Sequence, residues 1–413
     1  MKILQYPSYV NIPAIKEFSG RSTGYGKMIF DIASSIATSG IETDLITNGN
    51  ITKGHTYKRI RFLRRNWWDI LSNIRVSNFL NAVKAVWKDK VSLNKVPHYM
   101  LYHISMGYFE SVLLENQYDL VHIHGFGPGT LPIISICKKW NLKYLVTLHG
   151  LNSFSESVKV SEKHRKLEKD FLKQVHQQKI PVTVISTGIR NTILNYLNVT
   201  ESDTFFVVPN GCNTKINTKR ENINVRKKYN IPENKKIAVC VGNIVEHKNQ
   251  VQVVRAFTLL PSNVRNNLVI LFLGRDVTNG VFEQEILKSG QKENLIACGN
   301  IPKEEVHIYY QQSDFNIVAS IIEGFGLSMI EGFTQGIPTL TFSNLDAIPD
   351  LYHESAMLLV NERSDEALAN GIENILKIRW DKKLIQEYAQ NYSLEKMSSK
   401  YISIYDKIIN DKF

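Results

Sequence analysis

Short apolar runs alternate with amphipathic stretches along almost the whole chain. Lys2-Ile-Leu-Gln-Tyr6 has a strand pattern, and the polar loop Ser19-Gly-Arg-Ser-Thr-Gly24-Tyr-Gly26 follows it. Met28, Ile29, Ile32, Ala33 and Ile36 then recur at helical spacing until Gly40, and residues 41–46 return to a strand pattern. Strand, helix and strand in that order predict a parallel sheet. Residues 118–124, 142–149 and 182–186 are further strand-like runs, and a helix begins near Thr187. Each run ends in His, Gly or Ser, at the carboxyl edge where open α/β sheets take their ligands.

Residues 205–208 form one more strand pattern, ending in the turn Pro209-Asn-Gly211. Residues 213–224 are polar and lack periodicity, so a linker is placed here. A second α/β series follows. Strands are predicted at 236–242, 268–274, 315–319 and 339–342, and helices at 251–260, 304–311, 365–378 and 384–409. The chain therefore divides into a first domain (1–208), a hinge (209–224), a second domain (225–383) and closing helices (384–413) that return to the first. There is no repeat at a solenoid period.

Within the second series, Glu323-Gly-Phe-Gly-Leu-Ser-Met-Ile-Glu331 joins a strand to a helix, and Gly336-Ile-Pro338 stops that helix. Backbone N–H groups around Gly324, Phe325, Gly326, Leu327 and Ser328 point out of the helix N-terminus, where an anion binds well. Carboxylates on either side accept hydrogen bonds from sugar hydroxyls. A phosphate held between them is the pattern of a nucleotide-sugar site. Lys248 follows strand 236–242 through Asn243-Ile-Val-Glu-His, and a cation at that sheet edge can neutralise a departing diphosphate.

Composition sets the frame. A chain of 413 residues, 43% hydrophobic and 10% aromatic, is enough for about two domains with sizeable cores. Cys137, Cys212, Cys240 and Cys298 lack metal spacing and read as reduced thiols of a cytosolic protein. No apolar run reaches the roughly 18 residues needed to span a bilayer, and the N-terminus lacks a secretory pattern. The net charge of +11 lies wholly in the first half: residues 1–200 hold 26 basic and 13 acidic residues, and the remainder hold 24 and 26.

The two glutamates with Gly-Phe-Gly between them resemble the signature of the retaining glycosyltransferases of family 4, which have the GT-B fold. The resemblance covers nearly the whole chain. It implies two Rossmann-like domains facing across a cleft, with a C-terminal helix crossing back to the first domain. It also implies a nucleotide-sugar donor, a glycan or lipid-linked acceptor, front-side substitution and no essential metal, since no Asp-x-Asp motif stands in the expected region. By the resemblance Lys248 and Glu323 act at the leaving group and the transferred sugar, and His149 faces that sugar from the first domain. Glu331 holds the ribose, Ile301 and Pro302 lie near the base, and Gly24 and Gly26 admit phosphates or acceptor. His122 and His124 are as readily structural. The family places an arginine where this chain has Asn243, so one phosphate cation is missing and Arg275 is a candidate substitute. A sugar-nucleotide epimerase of the same fold and a non-catalytic binder stand as alternatives.

Residues 51–100 hold 11 basic and 2 acidic residues. Lys58-Arg-Ile-Arg-Phe-Leu-Arg-Arg-Asn-Trp67-Trp68 interleaves cations with aromatics, and Leu71, Ile74, Phe79, Val83, Val86 and Trp87 follow at helical spacing. Two readings follow for residues 53–90. One is a core-facing helix with a solvated basic face. The other is a peripheral patch on an anionic membrane, which would make a cytoplasmic protein peripheral to the inner face of the cell membrane. Nucleic acid is a poorer partner, because no binding module accompanies the charge.

Overall fold

The computed structural model describes residues 1–411 apart from 13, 16–17, 20–23, 49–53, 75, 89–90, 92, 94–95, 128–129, 155–159 and 215–222. The first sheet contains β1 (Lys2–Tyr6), β2 (Glu42–Asn48), β3 (Thr56–Tyr57), β4 (Ile60–Arg65), β5 (Leu120–His124), β6 (Lys143–Leu148), β7 (Val182–Val184) and β8 (Phe205–Val207). Its spatial order is β3-β4-β2-β1-β5-β6-β7-β8, and every pair is parallel except β3 with β4. The second sheet contains β9 (Lys236–Val241), β10 (Leu268–Leu273), β11 (Leu295–Gly299), β12 (Phe315–Val318), β13 (Thr339–Phe342) and β14 (Met357–Val360). Its order is β11-β10-β9-β12-β13-β14, parallel throughout. Helices cover both faces, so central strands such as β10, Leu-Val-Ile-Leu-Phe-Leu, are buried at every position.

The two α/β units face each other as the GT-B architecture requires. The chain crosses between them twice, and the crossings are bonded together. Cys212 N–H donates to Tyr392 O at 2.8 Å, and Leu394 N–H donates to Cys212 O at 3.2 Å. Gly211 permits this approach, because a Cβ there would lie 2.9 Å from Ser393 O. The final helix, Leu394–Ile409, lies on the first domain and buries Tyr401 and Tyr405 among Ile3, Met28, Ile32 and Leu145. The helix before it, Lys382–Ala389, stays with the second domain, with Tyr388 6.0 Å from Phe333 between ring centres. A single apolar cluster runs under the cleft from Val184, Ile185 and Ile189 to Phe325, Met329, Leu345 and Ile348.

The basic region departs from the core-facing helix reading. Its first part is β4, which buries Ile60 and Phe62 and turns Arg61 to Asp44 (Nε to Oδ1, 2.8 Å) and Arg64 to Asp69 (3.0 Å). Its second part is two helices, Trp67–Leu71 and Val76–Lys88, separated by a break. Ile70 and Ala82 are buried, but most of their apolar residues do not face a core: Trp68 is 76% exposed and Trp87 82%, and Leu71, Ile74, Val76, Phe79 and Leu80 are also exposed. The helical period is correct, but the stripe is only partly covered: Val83 and Val86 are half-buried where Val76–Lys88 packs on the helix Val96–Ile104, and the rest of it faces outward.

Candidate active site

The carboxyl ends of β9 and β12 bring Lys248 and Glu323 together. Lys248 lies on the short helix Glu246–Lys248 after β9, and Glu323 lies on the loop after β12. Ile321 N–H donates to His247 O at 2.8 Å, tying the two loops by their backbones. The Lys248 ammonium makes an ion pair with Glu323 Oε2, while Glu323 Oε1 accepts the Gly326 N–H at 3.2 Å. Gly326 precedes the helix Leu327–Thr334 with φ +81°, a left-handed conformation that glycine tolerates, and no side chain caps this helix. The Glu323 carboxylate therefore sits between a lysine and a helix N-terminus, in surroundings built for an anion.

Arg363 steadies this loop from behind. It stacks on Phe342 with 4.3 Å to the ring centre and donates through Nη2 to Ser320 O at 2.8 Å. Ser320 Oγ in turn donates to Glu323 Oε2 at 3.3 Å. Gly324 rests on the first domain, where a Cβ would be 3.4 Å from Ile185 Cδ1 and 3.5 Å from Ile189 Cδ1. Phe325 is buried in the cluster under the cleft and Leu327 packs against the same cluster, so both offer their backbones rather than their side chains to a ligand.

Glu331 lies farther along the helix, in a charged group that spans the cleft. Lys27 of the first-domain helix Gly24–Thr38 pairs with Asp31 at 3.1 Å. Lys27 interacts electrostatically with Glu331 and with Lys303, the first residue of the helix Lys303–Gln311, and Lys303 in turn with Glu331 and Asp31. Lost hydration and then the charge of Lys27 draw the Lys303 ammonium down to about 8.

His149 follows β6 on the opposite side of the cleft. Its Nε2 lies 3.1 Å from His124 Nδ1, and the Tyr25 ring meets it edge-on at 5.2 Å. Tyr25 donates to His124 O at 3.0 Å. Burial draws His149 down to about 4 and holds His122 and His124 well below the usual histidine value, so all three rings are neutral at neutral pH. The first domain closes on the second at one further contact. Asp350 accepts from Thr187 N–H at 2.5 Å and from Thr187 Oγ at 2.6 Å, at the start of the helix Thr187–Leu197.

The remaining residues named from the sequence are more scattered. Gly24 is exposed at the start of its helix, whereas Gly26 is buried and has a packing reason for lacking a side chain, since a Cβ would lie 2.8 Å from Asn11 N. Asn243 is exposed after β9, with its carbonyl accepting from Gln250 Nε2 at 3.0 Å. Arg275 is exposed after β10, and its backbone carbonyl accepts from Ile244 N–H at 2.9 Å. Ile301 is partly buried against the second-domain core. Sequence reasoning missed Gln5, Tyr25, Lys27, Lys303, Asp350 and Arg363. Only Gln5 carried a local signal, as a polar residue inside an apolar strand.

Comparison with known proteins identifies the family. The family model described as Glycosyltransferase Family 4 matches residues 23–216, and the one described as Glycosyl transferases group 1 matches residues 221–392. The alpha-monoglucosyldiacylglycerol synthase of Acholeplasma laidlawii is 21% identical over 75% of this chain and 80% of its own length. The sucrose-phosphate synthase of Thermosynechococcus elongatus superposes with a TM-score of 0.74 at 19% identity over 100% of both chains. The Anabaena protein HepE, solved in complex with UDP and glucose, superposes with a TM-score of 0.64 at 12% identity over 98% of this chain and 100% of its own. With the two models together matching most of the sequence and the same two-domain fold throughout, this chain belongs to the family 4, or group 1, glycosyltransferases of the GT-B fold.

Proposed function

We propose that the protein transfers a sugar from a nucleotide-sugar donor to a glycan or lipid-linked acceptor with retention of anomeric configuration, in the synthesis of a surface polysaccharide or glycolipid. The observation that carries this reading is the Lys248–Glu323 pair at the mouth of the helix Leu327–Thr334. A donor diphosphate takes the place of the Glu323 carboxylate beside Lys248 and the helix amides. Glu323 is thereby released toward the sugar hydroxyls, and Glu331 receives the ribose. The bond from the anomeric carbon to the phosphate oxygen breaks, and the bond to the acceptor oxygen forms on the same face. The acceptor proton passes to the departing phosphate oxygen. Lys248 and the helix amides stabilise the charge that develops there, and no metal ion is assigned a part.

A thermal-shift screen of nucleotide sugars tests donor binding, because a ligand at 100-fold its dissociation constant stabilises by about 2.7 kcal/mol. Lys248→Ala and Glu331→Ala should abolish turnover while leaving the fold intact, and unchanged turnover in both would refute the site. Asn243 supports a second reading, a binder without catalysis. Donor binding with no transfer or hydrolysis under any acceptor would favour it.

The acceptor reading adds a surface. The exposed Trp68, Leu71, Phe79 and Trp87 beside a basic segment suit the interface of an anionic bilayer, where such side chains insert and each cation adds about 1 kcal/mol. The enzyme would then work at the cytoplasmic face of the cell membrane, against a lipid-linked acceptor. No helix among the described residues is long and apolar enough to cross a membrane.

A further inference from the structure

The polar layer beneath His149 runs as one directed chain. Gln5 on β1 is fully buried, and its Oε1 lies 2.7 Å from His124 Nε2. With the amide oxygen turned to this ring, as placed, the oxygen only accepts, and the proton of this contact belongs to His124 Nε2. The neutral His124 ring then has a lone pair on Nδ1, and the partner 3.1 Å away, His149 Nε2, must be the N–H donor. His149 is neutral as well, and its Nδ1, which has no hydrogen-bond partner among the described residues, is left as a bare acceptor.

The rest of the layer is consistent with this direction. The amide nitrogen of Gln5 approaches the Tyr405 hydroxyl without closing a full hydrogen bond. Tyr405 can donate its own proton to His122 Nδ1 at 2.7 Å, and His122 Nε2–H then meets Thr147 Oγ at 2.6 Å. Reversing the Gln5 amide would reverse every proton along the line and turn the free nitrogen of His149 into a donor. One buried amide thus decides what the cleft meets.

We propose that Gln5 and His124 are positioning residues that fix His149 as its Nε2–H tautomer, so that the transferred sugar must meet it with a hydroxyl group rather than a carboxylate. This specificity rests on the donor reading above. A hydroxyl hydrogen completes the bond to the lone pair of Nδ1, whereas a uronate carboxylate would bring a second set of lone pairs against it. The enzyme then selects neutral hexose donors over uronic acid donors at this position. The tautomer is set from two side chains away, by Gln5 on β1.

The full chain labelled with 15N-histidine tests the tautomer directly through long-range 1H–15N correlation at neutral pH. Both His124 and His149 should appear as Nε2–H rings. Gln5→Glu keeps an acceptor toward His124 and should preserve the pattern, whereas Gln5→Leu should let both rings exchange between tautomers. A proton on His149 Nδ1, or a Gln5→Leu spectrum identical to that of the unaltered protein, would overturn the proposal. Wild-type spectra decide the first point even if the leucine variant fails to fold. With UDP-glucose and UDP-glucuronate, or GDP-mannose and GDP-mannuronate as the base requires, the uronate should bind at least about tenfold more weakly, and equal binding would also overturn it. Failure of every nucleotide sugar to bind would remove the donor reading while the spectra still judge the tautomer.

Discussion

Acid should weaken this protein through its stacked histidines before its carboxylates titrate, and the size of the effect follows from their burial. His122 is fully buried and His124 is 3% exposed, and both are held well below the usual pKa of 6.5. In the unfolded chain each regains its ordinary value and binds a proton that the native ring refuses. The unfolded state therefore carries more protons as the pH falls below about 6.5, and native stability is lost in that direction. Protonation of the unfolded ring between about pH 6.5 and about pH 5.5 is worth about 1 kcal/mol per histidine, or about 2 kcal/mol for the pair. His149, drawn to about 4, adds to the same slope until the native ring itself begins to charge. Urea unfolding at the two pH values, at constant ionic strength, measures the total. The difference between wild type and His122→Gln isolates one ring. Glutamine can still bond Tyr405 and Thr147, so the variant should lose about 1 kcal/mol of the pH dependence whatever its stability at neutral pH. A variant whose pH slope equals that of the wild type would refute the argument.

Two other perturbations reach different parts of the molecule. Gly188→Ala would put a Cβ 2.3 Å from Asp346 O, where the two domains meet. It should lower the urea midpoint by the equivalent of about 1–3 kcal/mol, and an unchanged midpoint would mean that this contact opens freely in solution. Trp68→Ala with Trp87→Ala should weaken sedimentation with anionic vesicles, most visibly at low salt, with melting unchanged because both side chains are exposed. Equal sedimentation of variant and wild type would remove these tryptophans from any membrane contact.

The sheets were legible wherever a strand is buried on both faces. β10 is an unbroken apolar run, and β12 is apolar apart from the buried Asn316; turn residues bound both. The strands that escaped notice lie toward the sheet edges. Only Leu295 of β11 is buried, and the strand ends in Cys298 and Gly299. In β4, Arg61, Arg64 and Arg65 mask the inward Ile60 and Phe62. The stripe from Trp68 to Trp87 has the right period, but period alone cannot say whether anything covers it. At the site, a local motif led to Lys248 and Glu323, and the fold brings the two into contact. Lys27, Lys303 and Gln5 matter because of neighbours hundreds of positions away or across the cleft, and no short pattern announces such a meeting.

The bonded pair of chain crossings at Cys212 and Ser393 has a mechanical consequence. A single strand joining two bodies lets one swivel about the other in any sense. Two strands stitched side by side behave like a door on two pins, resisting twist while leaving one swing cheap. Each opening of this enzyme should therefore retrace the same arc, returning Glu331 and Lys27 to the same opposition after every turnover instead of leaving them to search for it.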